Sequence, residues 1–221
     1  QGDWGWLGSL THFELDAGYW LIMNNPDELS VQSCDGPLQG QLVYDLSAGA
    51  NLISYPDKGS IDISMAIPDE VEDSFVAVIT ENGASLHTDD GWVGSVNSFI
   101  GGYGYWVIVD SDLSFSYEFD EVMGRNELRM QVESLPMNGQ FEVPQSSQQA
   151  FYFIDQVELS NDVMEHGDWL LTYKGESITG IREWKDEIVD VPAMGHVNGE
   201  IELNTNVYLQ AGDVPEFKLL K

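Results

Sequence analysis

A single cysteine, Cys34, leaves no partner for an intrachain disulfide and too few thiolates for a structural zinc site. Basic residues are also scarce: 8 Lys and Arg stand against 38 Asp and Glu, a formal charge of -30. So acidic a chain repels phosphate backbones and anionic headgroups, which argues against nucleic-acid partners and against adhesion to a membrane surface. Long apolar runs are missing too. None approaches the ~18 residues that a helix crossing a bilayer needs, so membrane insertion is not expected. Catalytic signatures are equally thin. There is no Gly-rich loop ending in Gly-Lys-Ser/Thr and no Gly-x-Ser-x-Gly elbow, and His12, His87, His166 and His196 are scattered without metal-ligand spacing. The chain does not read as an enzyme.

What is present is apolar and aromatic. The composition, 43% hydrophobic and 11% aromatic, supplies a core or two and excludes a disordered chain. Acidity of this degree suits a medium of high or divalent salt, where repulsion between carboxylates is screened. Sea water is one such medium. The first residue is Gln1 rather than Met, which reads as a processed or excised product. Charge is uneven: Lys58 is the only basic residue before Arg125, a step that hints at a boundary.

An internal repeat is visible. Gly5-Trp6-Leu7-Gly8-Ser9 recurs as Gly91-Trp92-Val93-Gly94-Ser95, Phe13 as Phe99, and Gly18-Tyr19-Trp20-Leu21-Ile22 as Gly104-Tyr105-Trp106-Val107-Ile108. The offset is 86 without a gap, and 9 of the 18 positions from Gly5 to Ile22 are identical. Glycine before a Tyr-Trp-aliphatic run marks a turn handing over to a strand. The duplicated indoles, Trp6 with Trp92 and Trp20 with Trp106, are expected to fill the interior of their own sheet stacks. The second copy has strand-like material upstream, from Leu42 to Ile79, that the first lacks, so the first reads as half a unit.

This divides the chain into a partial copy (1–40), a complete copy (41–118), a connector (119–147) and a C-terminal module (148–221). Within the complete copy, Ile67-Pro68-Asp69-Glu70-Val71-Glu72-Asp73 suits one helical turn, with proline at the start and acids in the first turn. In the last region Ala150–Ile154, Trp169–Tyr173, Ile178–Ile181, Ile201–Leu203 and Phe217–Leu220 read as strands, and Asn198-Gly199 as a hairpin turn. Short strands at this spacing predict a mostly β fold of antiparallel sandwich modules with an internal duplication.

The residues Asn51-Leu52-Ile53-Ser54-Tyr55-Pro56, Gly91-Trp92-Val93-Gly94-Ser95 and Gly104-Tyr105-Trp106-Val107 together resemble a repeat module of large secreted or surface proteins of environmental bacteria and of marine phage structural proteins. Gly167-Asp168-Trp169 through Gly180, Val191-Pro192-Ala193-Met194-Gly195 and Gly212-Asp213-Val214-Pro215-Glu216-Phe217 are similar to an accessory β-module of such proteins. The resemblance implies a non-catalytic structural or adhesive building block of a larger extracellular or virion assembly, whose partners are other chains or modules.

Two ligand classes remain as candidates. Aromatic rings stack on sugar faces, and among the 7 Trp and 9 Tyr those without a copy and with polar neighbours are Trp4, Tyr103 and Trp184. These define the alternative, a carbohydrate-binding module with glycans as partners, although a packing role is the ordinary fate of such a ring. Calcium is the candidate cofactor, because Asp110-Ser111-Asp112 places two carboxylates at alternate positions, on one side if the strand continues. An ordinary solvated turn is the plainer reading of that pair.

Overall fold

A computed structural model describes residues 9–21, 42–57, 59–81, 83–118, 143–159, 162–197 and 206–221. The described residues are mostly β, in several antiparallel sheets with two four-residue helices. Trp4, Trp6, Asn198-Gly199 and the strand expected at Ile201–Leu203 lie outside the described residues.

The first group of strands comprises β1 (Tyr44–Leu46), β2 (Gly49–Ser54), β3 (Ser60–Asp62), β4 (Phe75–Ile79), β5 (Ala84–Thr88), β6 (Gly91–Gly94), β7 (Ser98–Ile100), β8 (Gly104–Val109) and β9 (Leu113–Phe115). Five of them form a sheet in the order β2-β8-β4-β5-β6, and β1 pairs with β9 and β3 with β7. Two helical turns, α1 (Ile63–Ala66) and α2 (Asp69–Glu72), lie between β3 and β4. The Asp62 carboxylate caps α1 by accepting from the Ser64 amide at 3.0 Å. The turn expected from Pro68 and its acids is α2.

Strand β8 decides which side chains enter the core. Its period of two buries Tyr105, Val107 and Val109 on one face and leaves Trp106 and Ile108 half-exposed on the other. On the buried side the Tyr117 ring meets Tyr44, Tyr55, Phe99 and Phe115 at centroid distances of 5.0 to 5.2 Å. These contacts are edge-on, the arrangement that aromatic quadrupoles favour. Tyrosine and phenylalanine thus share this core with Ile, Leu and Val, Trp92 packs against it while only partly buried, and the expectation that the duplicated indoles fill it is corrected for Trp106. Trp106 is on the opposite sheet face. Trp92 is half-buried, its ring stacked on His87 and its Nε1 donating to Glu72 of α2 at 2.8 Å.

The second group is β10 (Gln149–Ile154), β11 (Trp169–Lys174), β12 (Ser177–Glu183), β13 (Val189–Met194) and β14 (Glu216–Leu220). One sheet pairs β10 with β13, and another runs β12-β11-β14. They approach closely where the Thr172 hydroxyl donates to the Pro192 carbonyl at 2.8 Å. Gly180 allows this approach, since a Cβ there would stand 1.8 Å from that same carbonyl oxygen. The end of the expected connector belongs to this group. Val143 is buried with Leu171, Ile181, Met194 and Tyr208, and the Tyr208 hydroxyl donates to the Pro144 carbonyl at 2.8 Å.

The first-copy segment, residues 9–21, runs along the free edge of β2. The Gly18 amide donates to the Leu52 carbonyl at 3.0 Å, the Ser54 amide to the Asp16 carbonyl at 3.3 Å, and the Ser54 hydroxyl to the Leu15 carbonyl. These bonds make one antiparallel bridge, Ala17 to Ile53, and no longer strand. The expectation that each copy fills its own interior fails for this segment, because Leu10, Phe13, Leu15 and Leu21 are exposed. Phe99, at the matching position, is instead buried, with Tyr55 stacked on it and Ile61 of β3 paired opposite. Local geometry nevertheless recurs. The Phe13 and Tyr19 rings meet at 4.7 Å and 88°, the Phe99 and Tyr105 rings at 4.9 Å and 79°. The Glu14 amide donates to the Tyr19 hydroxyl at 2.6 Å, and the Ile100 amide to the Tyr105 hydroxyl at 2.7 Å.

Candidate functional site

The outward face of the five-stranded sheet is apolar, and it is only partly covered. Trp106 of β8, Val76 of β4 and Leu86 of β5 stand on it, Trp20 of the first-copy segment leans over it, and Phe151 and Phe153 of β10 close the far wall. Together they line a groove of about 560 Å³. Sites for small ligands commonly measure ~300–1,000 Å³ and combine an apolar lining with a few placed polar groups. Trp20 retains 38% of its surface, so its side chain is partly open to solvent. The alternation of β10 explains the far wall. Tyr152 turns to the opposite side, meeting Phe217 edge-on at 5.3 Å, while Phe151 and Phe153 face the groove.

Polar groups at one end come from both strand groups. The Gln149 side chain donates from Nε2 to the Thr80 carbonyl at 3.2 Å, and its Oε1 is buried without a hydrogen-bond partner. Nearby, Asp190 of β13 fastens the two groups together. Its Oδ2 accepts from the Ala84 amide at 2.8 Å, the Ser95 hydroxyl at 2.8 Å and Arg182 Nη2 at 2.9 Å. Arg182 Nε also donates to the Asp190 carbonyl at 2.8 Å. Burial pushes the Asp190 carboxyl above its usual range, and Arg182 with the Ala84 and Ser95 donors opposes that shift. The groove floor residue Ala84 is thereby pinned by its backbone to the other strand group, so the junction positions the two walls.

Comparison with protein-family models, curated proteins and solved structures finds no match to this chain. Its chemistry is therefore read from its own residues.

Of the residues singled out from sequence, Tyr103 is the exposed one, at the turn before β8, with 43% of its surface accessible. It does not line the groove. Trp184 corrects the sequence reading. It is 7% exposed, packed with Leu170, Val189 and Val191, and its Nε1 donates to Asp186 at 3.2 Å, so its ring faces are occupied by protein. The charged neighbours that marked it as a surface ring flank a side chain pointing inward. Trp4 lies outside the described residues.

Asp110 and Asp112 are both exposed and sit in the turn after β8, which ends at Val109. The strand does not continue, so the alternation that placed both carboxylates on one side does not apply. Asp112 Oδ1 accepts from the Ala48 amide at 2.8 Å and Asp110 Oδ1 from the Ser111 hydroxyl at 2.8 Å. Among the described residues no three His, Cys, Asp or Glu side chains gather as a cation site, and no helix is long and apolar enough to cross a membrane.

Sequence reasoning missed the groove because its walls come from three distant segments. The signal available was the alternation in Tyr105-Trp106-Val107-Ile108, which forces the indole and the tyrosine onto opposite faces. Asp190 was missed because aspartate and proline are depleted in strands, which hid β13.

Proposed function

We propose that this chain is a non-catalytic structural or adhesive β-module of a larger extracellular or virion assembly, and that it makes contact through the aromatic groove. The observation that carries the reading is that groove, where two indoles and two phenyl rings converge at a junction held by a buried ion pair. A rigid apolar recess on an otherwise strongly acidic chain suits recognition by shape and apolar contact. We read residues 5–22 and 91–108 as copies of one unit, on the strength of the recurring Phe-Tyr geometry. We likewise read the two sheets of the C-terminal group as a sandwich, on the strength of the Thr172 to Pro192 approach.

The same lining favours a second reading, carbohydrate binding. The partly exposed indole of Trp20 offers a stacking platform. Polysaccharide co-sedimentation and a glycan array with wild type, Trp20→Ala and Tyr103→Ala separate the two. Binding lost with Trp20→Ala and kept with Tyr103→Ala assigns the groove to glycans. Binding lost only with Tyr103→Ala removes the groove from the account. Absence of any glycan binding keeps the protein-contact reading.

A further inference from the structure

The first-copy segment exposes the side chains whose copies are buried. Leu10 is 61% exposed and its counterpart Val96 8%, Phe13 62% against 0% for Phe99, and Leu21 50% against 0% for Val107. Yet the segment is shaped like its copy, with the same Phe-to-Tyr ring contact and the same amide-to-hydroxyl bond. The difference is the cover. In the complete unit Ile61 of β3 stands opposite Phe99, Tyr55 stacks on Phe99 at 6.0 Å, and the Ile63 amide donates to the Asn97 carbonyl at 3.0 Å. All three covering residues come from the half-unit 42–86.

We infer that the exposed face of residues 9–21 is a docking surface for a β half-unit of the same kind as residues 42–86, supplied by a neighbouring module. The half-unit adds a strand like β3 across Phe13, with an aliphatic residue opposite it and an aromatic ring stacked upon it. The bonds from Asp16 and Gly18 to β2 then become the joint between successive units, since they use the edge of β2 opposite β8. A face this apolar on a chain of charge -30 is costly to leave in water, and strand pairing with side-chain burial is the physical remedy. The inference rests on reading the chain as a module of a larger assembly, and it names the contact.

The test extends the full chain with an extra copy of residues 42–86 placed directly before Gln1. The offset of 86 makes this the natural register, because Gln1 then stands where His87 stands. Amide hydrogen exchange followed by mass spectrometry reads peptides covering residues 9–15. The fusion is expected to slow their exchange roughly tenfold or more, as burial in a cooperative unit does. Phe13→Asp within the fusion is expected to abolish that protection while leaving the exchange of residues 91–118 unchanged. Unaltered exchange at 9–15, with the added segment exchanging as an unfolded chain, overturns the proposal. Protection of 9–15 in the unextended chain that grows with protein concentration also overturns it, by assigning the face to a second copy. Neither result bears on the groove, whose role is read separately by the glycan experiments.

Discussion

The Asp190 carboxylate lies 2.9 Å from the Arg182 guanidinium, with both side chains almost fully withdrawn from solvent. Two further donors on that oxygen, the Ala84 amide and the Ser95 hydroxyl, belong to the other group of strands. One carboxylate therefore serves an ion pair and a junction together. Removing it takes the carboxylate from the buried Arg182 and leaves the Ala84 amide and the Ser95 hydroxyl without their acceptor, so Asp190→Ala is expected to cost about 3–5 kcal/mol. Ser95→Ala removes one of three bonds and is expected to cost about 1 kcal/mol. Urea unfolding measures both. Combining Asp190→Ala with Arg182→Met measures the coupling between the two side chains, and the double variant is expected to lose less than the sum of the two single losses. A double variant as unstable as the sum of its parts would show that the ion pair is not what holds the site.

The aromatic core gives a pH signature. Burial pushes the phenols of Tyr44 and Tyr55 up to about 12 from the ordinary 10, and that of Tyr208 likewise to about 12. A folded-state value above the unfolded one means that the native chain holds the proton more tightly. The associated stability is fully present below pH 10 and is lost as pH rises from 10 through 12. Urea midpoints are expected to be flat from pH 8 to 10 and to fall steeply beyond. Tyr117 sharpens the test, because its buried hydroxyl has no hydrogen-bond partner. Tyr117→Phe is expected to raise stability by about 1 kcal/mol by relieving that desolvated group, and to soften the alkaline loss. Phe99→Ala in the same cluster is expected to cost about 3–5 kcal/mol.

Much of the β character is legible from local pattern, and the limits of that legibility are physical. Trp169–Tyr173, Ile178–Ile181 and Phe217–Leu220 announce β11, β12 and β14 because β-branched and aromatic residues cluster between turn residues. The turn at Pro68 is readable from proline geometry alone. By contrast β13 carries Asp190 and Pro192, which a strand tolerates here because the carboxylate is paired and because β13 has a free edge in its two-stranded sheet, where the missing proline N–H costs no ladder bond. Trp184 shows the same limit from the other side: charged neighbours describe the surface around a ring, not where the ring points. The groove is the least legible feature, since Trp20, Trp106 and Phe151 meet only after three segments have folded together.

The turn after β8 provides a test for the candidate cation. Asp112 Oδ1 is engaged by the Ala48 amide at 2.8 Å, a contact that ties this turn to the loop between β1 and β2. A carboxylate holding a backbone amide stabilises the fold without any ion, so Asp112→Ala is expected to lower stability by about 1 kcal/mol in chelator and in millimolar calcium alike. Asp110→Ala is expected to have a smaller effect, because its partner is the hydroxyl of neighbouring Ser111. Thermal melts of wild type and both variants, with and without calcium, measure this. A ligand bound only by the folded chain must raise the melting midpoint, so a midpoint that climbs with calcium in wild type and not in Asp112→Ala would install a cation where the geometry places a turn cap.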